Sequence, residues 1–140
     1  MIGKKILLVF ILTVLSCRQS AESMIPYLEG YWEISHVEKK GKVIKEFTMN
    51  TQVDYFEVHD DLSGFRKKVN PTLEGKFIVS KHQTPFALKM IGNDLQIHYS
   101  DNDISYVETI LKVNAETLII KNEDGIIYTY TPFESLDLKL

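Results

Sequence analysis

Short runs of β-branched and aromatic side chains at every second position, cut by turn residues, recur along this chain from about residue 30 to residue 131. Period-two alternation puts one set of side chains on each face of a pleated strand, and turns at roughly 8–12-residue spacing allow only hairpins between strands. Strands are expected over residues 32–36, 43–47, 53–58, 65–69, 75–79, 86–90, 95–99, 104–113, 118–121 and 126–131. Breaks are expected at Lys39-Lys40-Gly41-Lys42, at residues 60–64, at Asn70-Pro71, at Gly92-Asn93-Asp94, at residues 100–103 and at residues 122–125. Residues 104–111 could line a helical face, but Val, Ile and Thr dominate there and favour a strand. Only residues 23–29 suggest a short turn of helix. About ten sequential hairpin strands must hide two sheet edges, and closing on themselves removes both. An all-β, antiparallel up-and-down barrel of about 8–10 strands is therefore expected, with a β-sandwich as the alternative.

Ahead of the strands stand Lys4-Lys5, an apolar run over residues 6–15, Ser16 and the chain's only cysteine, Cys17. Charge followed by ten largely apolar residues is the pattern of an export signal, and ten residues fall short of the roughly 20 that a membrane-spanning helix needs. Val14-Leu15-Ser16-Cys17 resembles the lipobox of bacterial lipoproteins, which implies cleavage before Cys17 and acylation of that cysteine. Two or more acyl chains hold a protein stably at a membrane. An ordinary signal cleaved near Ser20 or Ala21 is the competing expectation. The division expected is 1–16 signal, 17–27 lipidated cysteine and flexible tether, 28–134 barrel and 135–140 tail. Without an acidic run after Cys17, the expected place is the outer membrane, facing the periplasm.

Loss of residues 1–16 leaves 124 of the 140 residues, enough for one domain with a real core. Those residues carry two lysines, so the net charge of −3 becomes −5. A mildly acidic chain with dispersed basic residues argues against nucleic acid as a partner. A lone cysteine excludes disulfides and cysteine-rich metal sites.

The stretch Leu28-Glu29-Gly30-Tyr31-Trp32-Glu33-Ile34 holds a G-x-W at the start of the first strand. With Asp54-Tyr55-Phe56-Glu57-Val58, the run from Gly64 to Pro71, Leu118-Ile119-Ile120-Lys121-Asn122, Gly125 and Tyr128-Thr129-Tyr130, it resembles the small lipocalin-like lipoproteins of Gram-negative bacteria. The resemblance spans residues 28–133. It implies that Gly30 and Trp32 close the narrow end of a barrel. Lipocalins commonly set a late arginine against that tryptophan, whereas the only arginines here are Arg18 and Arg66.

Aromatic residues spread over many strands either fill a small barrel or line a ligand cavity. Ile34, His36, Tyr55, Phe86, Tyr99, Tyr106 and Tyr128 are the candidate cavity residues, with His36 placed by simple alternation on the side of Trp32. The expected role is binding of a small hydrophobic molecule or lipid. The alternative is a filled barrel that serves as a protein-interaction module. His36, His59, His82 and His98 form no metal-binding spacing, and the acidic turns lack a calcium-loop pattern. Glu57 and Glu108 would support hydrolysis only if they met in one cleft. No nucleophile motif or glycine-rich phosphate loop is present, so no enzyme activity and no cofactor are expected. The partners expected are the membrane, through acyl chains on Cys17, and a small hydrophobic ligand, with a monomer favoured. Arg66-Lys67-Lys68 reads as a solvated basic patch.

Overall fold

The computed structural model describes residues 19–48, 50, 52–71, 77–79 and 82–134. Cys17 and the signal expected before it lie outside these residues, as does the tail 135–140. One helix, α1 (Ala21–Leu28), precedes ten strands: β1 (Gly30–Lys39), β2 (Lys42–Glu46), β3 (Val53–Val58), β4 (Ser63–Pro71), β5 (Phe77–Val79), β6 (Thr84–Ile91), β7 (Asp94–Asp101), β8 (Ile104–Val113), β9 (Leu118–Lys121) and β10 (Ile126–Pro132). All the strand pairings are antiparallel. The ring β1-β3-β4-β6-β7-β8-β9-β10 closes when β10 pairs back onto β1, from Trp32 opposite Pro132 to Lys39 opposite Ile126. Eight strands thus form a barrel, and the sandwich alternative falls. β2 and β5 stand off this ring as flaps on β1 and β4.

The turn chemistry explains the hairpins. Lys39 pairs with Lys42, which leaves Lys40 and Gly41 as a two-residue loop with φ of 53° and 75°. Positive φ at both centres matches the right-handed twist of the flanking strands, and glycine takes it without steric cost. Asn70-Pro71, expected as a break, instead ends β4, where Pro71 pairs with Phe77 of the short β5. A proline is tolerated at such a strand end because a donor is not needed there.

The segment read as a flexible tether up to residue 27 is corrected by the structure: residues 20–28 form a capped, docked helix. Ser20 caps it, accepting from the Ser23 backbone N–H at 3.3 Å, while the Ser23 hydroxyl donates to the Ser20 carbonyl at 2.8 Å. Ala21, Met24 and Leu28 share one face and are buried against the barrel interior. Spacing of three and four residues made this stripe, and its burial holds a helix too short to stand alone. The indole N–H of Trp32 donates to the Leu28 carbonyl at 2.9 Å, so the helix end and β1 are locked together. Here α1, rather than an arginine, covers the tryptophan.

Above this plug the interior is solid. Leu95, Val113 and Leu118 lie at the ends of their strands nearest α1, and Phe56, Phe86, Leu88, Ile97, Ile110 and Ile120 fill the next layers. Phe86 meets Phe56 and Tyr99 at centroid distances of 6.3 and 5.9 Å. Gly64 makes this possible, since a Cβ there would come within 2.8 Å of the Phe86 ring and would strike the Glu57 carbonyl. Among the described residues, no helix is long and apolar enough to cross a membrane.

Candidate functional site

Alternation changes phase where a strand bulges. The register of β1 on β10 slips between Ile34 and His36: Ile34 faces Tyr130, but Val37, not His36, faces Tyr128. One extra residue reverses which side chains point inward beyond it. His36 therefore pairs with Thr129 on the outer surface, where its Nδ1 lies 3.3 Å from the Ser35 hydroxyl. This corrects the expectation that His36 shares the side of Trp32.

Tyr55 is corrected too. It alternates with the buried Asp54 and Phe56 and stands on the outside, 4.7 Å from the Tyr31 ring and 6.1 Å from Phe65. Lys67 lies over Tyr55 and Phe65 on the same outer face. Glu57, paired with Phe65 in the ladder, belongs to that face as well, with its carboxylate 3.4 Å from His59 Nε2. Glu57 and Glu108 do not meet.

The inner face of β4 carries the surprise. Gly64, Arg66 and Lys68 alternate with Phe65 and Lys67, so two members of the basic patch turn into the barrel. Arg66 is 16 % exposed and lies 4.9 Å above the Phe56 ring. Its Nη1 donates to the Tyr99 hydroxyl and to Glu108 Oε1, each at 3.0 Å. Its Nη2 donates to Asp54 Oδ2 and to the Tyr130 hydroxyl, each at 2.9 Å. The ammonium of Lys68 contacts the other Asp54 oxygen. One guanidinium thus ties β3, β7, β8 and β10 to β4 around a polar layer that floors the open end of the barrel.

The electrostatics follow from burial. Burial pushes the Asp54 carboxyl up, but Arg66 and Lys68 outweigh it and hold the group below its ordinary value of 3.8. Burial also works against the charge of Arg66, and the phenols of Tyr99 and Tyr130 with the carboxylates of Asp54 and Glu108 more than offset it. Burial pushes Tyr99 and Tyr106 up and Tyr130 up to about 12, each against the pull of Arg66. The tyrosines are therefore neutral hydrogen-bonding groups at physiological pH.

Above this layer lies a cavity of about 320 Å³ that opens outward. Asp54, Arg66, Lys68 and Glu108 form its charged part. Ile34, Tyr106, Tyr128 and Tyr130 supply its apolar walls, with Gln52 at the rim. Tyr106 stacks on Tyr99 at 4.6 Å and 17° between planes. A smaller recess of about 200 Å³ shares Asp54, Arg66, Lys68 and Tyr106 and reaches Lys67, Thr84 and His82.

Of the candidate cavity residues, Ile34, Tyr106 and Tyr128 line this cavity. Tyr99 and Phe86 lie beneath it in the packed interior, while His36 and Tyr55 are outside. Gly30 and Trp32 stand at the opposite, plugged end. Asp54, Arg66, Lys68 and Tyr130 were not among the candidates. The available signal was phase: counting by twos from Phe56 reaches Asp54, and counting from the constrained Gly64 reaches Arg66 and Lys68.

A closed antiparallel barrel plugged at one end by a helix and a tryptophan, with a polar cavity at the other, defines the lipocalin-like class. The family model described as a lipocalin-like domain matches residues 28–133, and the chain belongs to that family. Comparison with curated proteins and with solved structures found no match.

Proposed function

We propose that this protein is a lipid-anchored binding protein of the cell envelope that holds a small molecule in the open mouth of its barrel. The observation that carries the reading is the cavity of about 320 Å³ above a barrel whose other end is sealed. It falls at the lower end of the 300–1,000 Å³ range of ligand sites and has room for about ten waters. Among the described residues the layers below are filled by packed side chains, which disfavours an extended acyl chain. The geometry favours a compact ligand with an apolar body between Ile34, Tyr106 and Tyr128 and a polar head on the charged floor. The reading is retention, supported by Arg66, which engages the carboxylates of both Asp54 and Glu108.

The anchoring part rests on Val14-Leu15-Ser16-Cys17 and draws support from Gln19. Its side-chain amide donates to the Val113 carbonyl at 2.5 Å and accepts from the Val113 N–H at 3.3 Å, at the plugged end. An acylated Cys17, two residues earlier, would set the plugged end against the bilayer and turn the mouth outward.

Native mass spectrometry of the protein recovered gently from a Gram-negative host tests the binding. An adduct lost on organic extraction is expected, and a bare mass that stays bare with added extracts would overturn the reading. Fatty-acid labelling tests the anchor: label on the wild type and none on Cys17→Ser is expected, and an unlabelled, freely soluble wild type refutes it. A second reading, the interaction module, is favoured by β2, whose five residues including Val43 and Ile44 are all exposed. A bare mass together with specific capture of an envelope protein, lost on Ile44→Lys, would establish it.

A further inference from the structure

The charges of the mouth cavity do not balance within its buried part, and that imbalance points to the chemistry of the ligand. Asp54 is 4 % and Glu108 12 % exposed, so two carboxylates are withdrawn from water. Against them stands one withdrawn cation, Arg66, at 16 %. Its terminal nitrogens carry four hydrogens, and all four are spent on Tyr99, Glu108, Asp54 and Tyr130. Neither Nη therefore has a hydrogen left to offer an incoming anion. The compensating fourth charge is Lys68, and its side chain is 55 % exposed. Lysine is a compact point charge on a flexible stem, so this ammonium can leave Asp54 for solvent without disturbing the fold.

We propose that the mouth cavity takes a small organic amine as its ammonium ion, which displaces the Lys68 ammonium from Asp54 and lies between the two carboxylates and the tyrosine rings. The proposal rests on the reading of this cavity as the binding site and adds the class of ligand. Tyr106, Tyr128 and Tyr130 line the same space. Aromatic faces attract cations, more strongly where water is excluded, and their hydroxyls add acceptors. A carboxylate ligand would meet only Lys68, beside two like charges at short range. A neutral ligand would leave the exchange with Lys68 unused. Lys67, the next cation in sequence, lies over Tyr55 and Phe65 and lines the smaller recess, but it is not part of the mouth cavity's wall. His82, at the rim of the smaller recess, is engaged with Asp101 at 2.9 Å.

The test is titration calorimetry on the full chain in phosphatidylglycerol nanodiscs, with phenethylamine, hydrocinnamate and phenethyl alcohol as matched probes of similar size. Phenethylamine is expected to bind at least about tenfold more tightly than either of the others. Lys68→Ala is expected to tighten amine binding several-fold, because it removes the resident competitor. A Lys68 that instead grips an anionic ligand would give the opposite sign. Equal or tighter binding of the acid or the alcohol, or weaker amine binding by Lys68→Ala, overturns the amine assignment and leaves the binding reading standing. Binding of none of the three also overturns it, and native mass spectrometry then decides the binding reading separately.

Discussion

Arg66 and Glu108 meet at 3.0 Å across the barrel, from strands that have β6 and β7 between them in the sheet. The contact is made through the interior, not along the ladder. It therefore reports closure of the barrel, and it builds the polar floor on which the cavity rests.

Replacing Arg66 by methionine leaves Asp54 and Glu108 buried without their shared partner. Removing one member of a buried pair costs about 3–5 kcal/mol, because the remaining charge has lost its compensation. Urea denaturation of Arg66→Met should show that loss, and a change under about 1 kcal/mol would mean that the layer is solvated in solution.

Trp32 joins the plug to the barrel by packing and by its bond to the Leu28 carbonyl. Trp32→Ala should destabilise the protein by about 3–5 kcal/mol. Trp32→Phe keeps most of the packing but orphans the carbonyl, at about 1–3 kcal/mol. Equal losses for the two would show that the hydrogen bond, and not the ring, dominates.

Gly64 is required by close approach, not by unusual φ. In Gly64→Ala the new methyl meets the Glu57 backbone carbonyl, which cannot rotate away, and the Phe86 ring. Overpacking of this kind costs about 1–3 kcal/mol. Thermal unfolding checks it, and an unshifted Tm would show that β3 and β4 part freely there.

The acid limb of stability should belong in part to Asp54. Its folded pKa lies below the ordinary 3.8, so the folded state holds the carboxylate more firmly than the unfolded chain does. That stabilisation is fully present above the unfolded pKa and is lost as pH falls through about 4 toward the folded value. Asp54→Asn should flatten the stability profile below about pH 4, as measured by denaturation at a series of pH values. At the alkaline end the sign reverses. Tyr130 keeps its proton to about 12 when folded, so stability should fall between its ordinary value of 10 and that point. Tyrosinate absorbance would follow it, and a tyrosine titrating near 10 in every case would refute the burial of its hydroxyl.

Alternation and turn spacing are local properties, and they were enough for the class: antiparallel hairpins in an all-β domain, with closure into a barrel as the favoured arrangement and β10 on β1 completing it. The positions of the strands were legible for the same reason, because period and turn chemistry are local. The helix Ala21–Leu28 was legible only as a short turn over residues 23–29, and not as a docked plug, since an eight-residue helix has little stability of its own and is held here by burying Ala21, Met24 and Leu28. The site was half legible. Ile34, Tyr106 and Tyr128 follow from strand phase, but a single bulge at β1 removed His36 from the cavity, and bulges depend on how two strands meet. Phase could have placed Asp54 and Arg66 on the inner face, but not their burial, because an arginine stays inside a barrel only where partners satisfy it, here from four other strands. That condition exists only after the ring has closed, and so the charged layer at one end of the interior is a product of barrel closure.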